Sequence, residues 1–191
     1  MTKRFVLAGI ASLLAMMFAV PAFAVIHDRV LGVDVVGHVP VGDLSDATGM
    51  GFGAMLRYEN KLQDSLAMTA RFGYVMGLEK EFSTTILGTT HKANYGIDFI
   101  PVMLGAVYRT TGTPDGLFIS GEVGANFLRG HTTIGTTTTN ADMETKFGAN
   151  VGVGLRANAL SFRGGLNILD LGHIDTSMGL MVSVGYDFKK L

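Results

Sequence analysis

The chain has 191 residues, of which 15 are basic and 16 acidic, and it contains no cysteine. A formal net charge of −1 gives no indication of a nucleic-acid partner. The lack of cysteine excludes disulfides and a lipid-anchoring cysteine. Hydrophobic residues make up 48% of the chain and charged residues only 16%, which is an apolar composition for a secreted soluble protein.

The N-terminal residues predict an export signal. A short basic start and an apolar run over residues 5–20 precede small residues at Ala22 and Ala24, as in a signal-peptidase site. We predict a cleaved signal peptide over residues 1–24 and one domain over residues 25–191. The mature domain contains no apolar run of the roughly 20 residues that a spanning helix needs. If it spans a membrane, it must therefore do so as a closed barrel.

Eight segments of the mature chain carry large apolar residues at every second position, which predicts strands with one apolar face. They cover residues 30–39, 48–59, 65–78, 95–108, 117–128, 145–157, 161–168 and 176–188. This pattern predicts an all-β, eight-stranded, antiparallel up-and-down transmembrane β-barrel. Its last strand should pair with its first, because a barrel must close.

The fourth segment is less regular than the others. Its apolar phase places Asp98 on the outer face, which is acceptable only above the hydrocarbon layer of a membrane. The same phase places Pro101 inside the barrel. Since proline cannot donate a hydrogen bond to the ladder, we expect a β-bulge nearby.

Connections between the segments alternate between long polar loops and short turns, which is typical of barrels with extracellular loops and periplasmic turns. The expected extracellular loops are residues 40–47, 79–94, 129–144 and 170–175. The third is threonine-rich and reads as a solvated loop tip. At the opposite end we expect a periplasmic aromatic belt of Tyr58, Tyr108, Phe162, Tyr186 and Phe188.

Inward-facing strand positions carry charged residues between glycines. An eight-stranded barrel is only wide enough for side chains to fill it, and buried charges must pair. We therefore predict a packed ionic cluster in the lumen, with a proton path or gated pore as the alternative. Arg71 and Arg156 are both candidate partners of Glu122. The predicted members are Asp34, Arg57, Glu59, Arg71, Glu122, Lys146, Arg156 and Arg163.

Together, the signal peptide, the eight segments and the C-terminal stretch 182–188 resemble the small eight-stranded outer-membrane barrels of the OmpX and OmpA transmembrane-domain type. The resemblance implies the outer membrane of a Gram-negative bacterium. It also implies an assembly signal at Gly185, Tyr186 and Phe188, read by the barrel-assembly machinery, although three residues follow Phe188 here.

The resulting functional hypothesis is a monomeric, non-enzymatic barrel that displays its loops. We expect contacts with outer-membrane lipid and lipopolysaccharide and a surface partner at the loops, without a cofactor or metal. One alternative is a lipid A-modifying enzyme of the same fold, which needs a histidine, a serine and a carboxylate on the outer surface. Near His131 the sequence shows neither a serine nor a convincing outward acid on an adjacent strand. The other histidines are His27, His38, His91 and His173.

A second alternative is a soluble periplasmic barrel with an apolar ligand inside, which would invert the two faces. The seven bulky groups on the third segment alone would overfill a small interior, whereas arginines and glycines fit it.

Overall fold

A computed structural model describes residues 29–86 and 89–190, and strands account for most of them. The elements in chain order are β1 (Arg29–Pro40), α1 (Asp43–Ala47), β2 (Gly51–Lys61), β3 (Leu66–Gly77), β4 (Lys80–Ile86), β5 (Thr89–Arg109), β6 (Gly116–Ile134), β7 (Thr137–Asn140), β8 (Glu144–Ala157), β9 (Leu160–Ile168) and β10 (Met178–Lys190). The predicted signal peptide, residues 1–24, lies outside the described residues.

Eight of the strands form a closed antiparallel barrel in which each strand pairs with its neighbours in the chain. Around the barrel they are β1, β2, β3, β5, β6, β8, β9 and β10. β10 closes the barrel by pairing with β1, from Val30↔Lys190 to Pro40↔Gly179. The predicted fold class and the predicted closure of the last strand on the first are therefore confirmed.

The two faces of the barrel differ in polarity as the alternation predicts. Large apolar side chains point outward, including Val35 (66% exposed) and Phe147 (70% exposed). Charged side chains such as Arg57 and Glu122 point inward and are buried. This arrangement is the reverse of a ligand-binding barrel with an apolar interior.

Two of the predicted loops are hairpins that extend the barrel wall. β4 pairs with β5 from Lys80↔Tyr95 to Ile86↔Thr89, within the predicted loop 79–94. β7 pairs with β6 from His131↔Asn140 to Ile134↔Thr137, within the predicted loop 129–144. The loop predictions were wrong because β-branched threonines support strand pairing as well as they support loops.

These hairpins form one projecting sheet. β5 has 21 residues and β6 has 19, whereas a spanning strand needs about 9–11. The two strands stay paired as far as Asn94↔Thr133. We call β4, residues 89–96, residues 129–134 and β7 the extension.

The expected bulge at Pro101 is absent. β3 and β5 keep one register on both sides of it, with Phe72↔Val102 and Val75↔Phe99, and only the intervening pairs are missing. Pro101 has no backbone N–H to donate, and in this ladder the result is a local gap in the pairing without a change of register. The β1–β10 ladder has a register shift between Leu31 and Gly32, opposite the end of β10.

One of the other predicted loops contains a short helix. Loop 40–47 contains α1, whose Leu44 is buried in the barrel mouth. In residues 29–86 and 89–190, no helix is long and apolar enough to cross a membrane. Four members of the predicted aromatic belt are about half exposed, and Tyr58 is less exposed. The exposed four are Tyr108, Phe162, Tyr186 and Phe188.

Candidate functional site

Seven of the eight predicted lumen residues meet in two linked ionic groups in the periplasmic half of the barrel. The first is centred on Glu122, which is 3% exposed. Arg71 donates from Nη1 to Glu122 Oε2 at 3.1 Å, and Arg163 donates from Nη1 to Oε1 at 2.8 Å. The sequence also offered Arg156 as a partner of Glu122. That prediction was wrong, because Arg163 binds Glu122 instead.

The second ionic group is centred on Glu59. Arg156 binds it in a bidentate manner, with Nη1 3.1 Å from Oε1 and Nη2 2.8 Å from Oε2. Arg109 also donates to Glu59 Oε1. Arg109 was not predicted, because the predicted fourth strand ended one residue earlier, although its odd position continues the inward phase.

Arg57 and Asp34 connect the two groups. Arg57 donates to Asp34 Oδ1 at 3.1 Å and to Asp187 Oδ1 at 2.6 Å. Arg71 Nη2 lies 3.2 Å from Asp34 Oδ2, so Asp34 reaches the Glu122 group as well. Asp187 was also missed, although its phase on the last strand is inward.

Gly185 contacts this network directly. A Cβ there would overlap Asp34 Oδ1 and Ser161 Oγ, so the position leaves room for the ionic groups. Tyr186 and Phe188, the other members of the predicted assembly signal, point outward and are about half exposed. Gly185 therefore has a packing role that does not depend on recognition by assembly machinery.

Lys146 lies apart from these groups, at the extracellular mouth. Its Nζ is 3.3 Å from Glu144 Oε2 and 3.5 Å from Asp170 Oδ2. Asp170 also accepts a hydrogen bond of 2.8 Å from the backbone N–H of Gly172. That bond is the main cause that lowers the pKa of Asp170, and His173 and Lys146 lower it further.

The extracellular half of the lumen contains the buried amides of Asn126, Asn150 and Asn167 and a mainly apolar layer. Its buried members are Val36, Leu44, Met55, Val75, Phe99, Leu169 and Met181. His38, 3% exposed, packs edge-on against Phe99 with ring centroids 5.2 Å apart. Sequence alternation placed His38 inward. It did not indicate an apolar layer, because alternation shows which side a residue faces but not which inward residues meet.

A polar cluster lies on the outer surface at the base of the extension. Asp98 has the outward phase that the sequence predicted, yet it is only 8% exposed. Its Oδ1 accepts a hydrogen bond of 3.1 Å from the Gly77 N–H, and its Oδ2 is 3.8 Å from Arg129 and 3.9 Å from His131 Nδ1. Glu79 Oε1 lies 3.7 Å from His131 Nε2.

This cluster corrects the expectation that no neighbouring strand offers an outward acid near His131. Thr133 contributes a hydroxyl to this cluster, which donates to Glu79 at 2.6 Å. Among the described residues no hydrogen bond joins Thr133 to His131, and a nucleophile needs contact with its base. The geometry thus supplies two carboxylates beside a histidine without an activated nucleophile.

The closed barrel, its apolar exterior and its filled interior define an outer-membrane β-barrel. The chain matches the outer membrane protein beta-barrel domain over residues 10–188, and it belongs to that family. No curated protein sequence matches it significantly.

Solved structures of other small barrels share the fold at low sequence identity. Ail, the attachment invasion locus protein of Yersinia pestis, has 11% identity and a TM-score of 0.57, covering 86% of this chain and 98% of Ail. Ail in complex with the heparin analogue sucrose octasulfate gives a TM-score of 0.55 at the same identity and coverage. Neisserial surface protein A gives 13% identity and a TM-score of 0.45, covering 84% and 96% of the two chains.

Proposed function

We propose that this barrel is a non-enzymatic anchor that presents the extension to partners outside the cell. The observation that carries the proposal is the unequal length of the strands. Among the described strands, only β5 and β6, with their partners β4 and β7, continue far beyond the length that spans a membrane. Loops on a rigid scaffold are the usual place for recognition.

The filled lumen supports this function over transport. The ionic groups and the apolar layer follow one another along the barrel axis, so a solute would have to displace both. Breaking buried ion pairs is costly, and a close-packed apolar layer does not open without cost. The barrel thus serves as a support and not as a wide pore.

The fold shared with Ail supports a surface role, since the name of that protein refers to attachment and invasion. At 11% identity the likeness concerns the fold, so the partner must be inferred from this chain. We further propose that the mature chain begins after residue 24, assembles through Tyr186 and Phe188, and lies as a monomer among outer-membrane lipid and lipopolysaccharide.

Shortening the extension tests the proposal. A variant in which residues 80–94 and 131–140 are replaced by short turns keeps every spanning strand, so it should still reach the outer membrane and fold. Cells that carry it should lose the attachment to protein-coated surfaces that the intact protein confers. Equal attachment by both proteins would contradict the display function.

A second measurement separates an anchor from a channel. The purified full chain in a planar bilayer should show no large, steady conductance, because the lumen is filled. The variant with the shortened extension should behave in the same way, because the lumen is unchanged. Stable single-channel currents from either protein would support a pore instead.

A further inference from the structure

The inner face of the extension carries a patch of apolar side chains among Lys80 and threonines, and the rest of the described chain leaves this patch partly uncovered. Phe82 on β4 is 40% exposed and Ile134 on β6 is 64% exposed. Both have the inward phase, as does Tyr95, which pairs with Lys80. Lys80 Nζ donates to the carbonyl of Ser45 in α1, so this face is directed across the barrel mouth.

The opposite face of the extension is polar and internally paired. Lys92 lies 2.9 Å from Glu81, and Thr133 bonds to Glu79 and Thr138. A sheet with one apolar and one polar face normally covers the apolar face. Here the partly exposed apolar face is therefore the better surface for a partner.

The charge around the mouth selects among partners. Residues 41–50, 78–98, 129–146 and 169–177 contain nine acidic and four basic residues. Each of the four bases already lies within 4 Å of a carboxylate of this chain: Lys80 of Asp46, Lys92 of Glu81, Arg129 of Asp98 and Lys146 of Glu144. The extracellular end thus carries an excess of acid, and in its described part each lysine and arginine already lies near a carboxylate.

This excess disfavours polyanions and favours cations. A sulfated glycan, a lipopolysaccharide phosphate or a second copy of this acidic surface would meet like charge. A polypeptide with apolar side chains flanked by Lys or Arg would match both the apolar face and the acidic mouth.

We propose that the inner face of the extension, with Phe82 and Ile134 as apolar anchors, binds a basic polypeptide segment. The acidic groups of α1 attract the basic side chains of that segment across the mouth: Asp43, and also Asp46, whose carboxylate is 89% exposed although it lies 3.9 Å from Lys80. This inference rests on the proposed display function and specifies its partner class.

The test uses the full chain in phosphocholine nanodiscs free of lipopolysaccharide, with synthetic peptides as probes. An alternating Leu–Lys peptide should bind more tightly than a Ser–Lys peptide, and an alternating Leu–Glu peptide and heparin should not bind. Replacing Phe82→Ser and Ile134→Ser together should weaken Leu–Lys binding about tenfold or more, as truncation of apolar anchors does. Ser83→Ala with Asn94→Ser on the opposite face is the matched control and should leave binding unchanged.

A second pair of variants tests the charge. Asp43→Asn with Asp46→Asn should weaken binding and reduce its dependence on salt, whereas Asp64→Asn at a periplasmic turn should not. Mobility on an unheated SDS gel checks that each variant is folded. Binding of the Leu–Glu peptide as tight as that of the Leu–Lys peptide, or full binding by the Phe82/Ile134 variant, would overturn the inference. If the peptide does not bind but the shortened extension still abolishes attachment, the display function stands and this partner class is wrong.

Discussion

The periplasmic half of the lumen contains five arginines and four carboxylates, whereas the extracellular half contains mainly valine, leucine, methionine and phenylalanine, with one histidine and three buried asparagines. Both halves are buried to a similar degree. In the ionic half each group depends on particular partners, because an unpaired buried charge is costly. In the apolar half any side chain of suitable size can contribute, because burial and packing are not directional.

The largest expected effect comes from placing a charge in the apolar half. Val75 is fully buried against Phe99 and Met55 in that layer. Val75→Asp would place a lone carboxylate there at a cost of several kcal/mol, and we expect little folded protein in the outer membrane. Immunoblots of membrane fractions measure this, and wild-type levels of folded protein would show that the layer is hydrated.

Removing the centre of an ionic group should have the next largest effect. Glu122→Ala leaves both Arg71 and Arg163 without their main partner, and we expect a loss of about 3–5 kcal/mol in the free energy of unfolding. Arg71→Ala should cost less, because Glu122 keeps Arg163. Urea unfolding in lipid vesicles measures both changes.

The double variant of Arg71 and Glu122 shows whether the ions act together. Its loss should be smaller than the sum of the two single losses, because neither group is then left unpaired by the other. Lys146→Ala at the mouth is the control and should leave the stability nearly unchanged, since its ion pairs are more exposed. Strictly additive losses would argue against a coupled network.

A smaller effect is expected from a cavity in the apolar half. Val75→Ala removes two buried methyl groups and should lower the free energy of unfolding by about 2 kcal/mol. Val153→Ala is the matched control, since Val153 is 62% exposed on the outer surface, where lipid can fill the space. Unfolding of the two variants under the same conditions should rank them in that order, and the reverse order would contradict a close-packed layer.

The smallest effect concerns the mouth and its dependence on pH. Because the folded-state pKa of Asp170 is lowered, its stabilising contribution is present above the unfolded value of about 3.9 and is lost as the pH falls through the folded value. The protection factors of the amides in residues 170–177, corrected for the intrinsic pH dependence of exchange, should therefore fall in acid by the equivalent of less than about 1 kcal/mol. Asp170→Asn should remove this pH dependence, and an unchanged pH profile in that variant would assign it to another group.

Some features of the site were visible in the sequence because strand alternation reports them directly. The alternation of the first three strands places four charged residues on the inward face: Asp34, Arg57, Glu59 and Arg71. The partners were not visible, since they depend on register. Glu122 meets Arg163 because β8 pairs with both β6 and β9, and no local pattern encodes that relation.

Other features were misjudged where two physical effects give the same local pattern. Threonine-rich segments suit both solvated loops and exposed strands, so β4 and β7 were expected to be loops. Asp98 has an outward phase and also finds Arg129, His131 and the Gly77 N–H there, so it is mostly buried without turning inward.

By itself, the sequence determined the number of barrel strands, which face of each strand points inward, and the closing of the last strand on the first. It also determined that the lumen contains an ionic cluster. These follow from a two-residue period, which every strand expresses within its own length. Only the tertiary structure decided which ions pair, where the lumen changes from ionic to apolar, and that two apparent loops form one projecting sheet. Those features depend on the register between strands that are distant in the chain, and register is a property of the closed barrel as a whole.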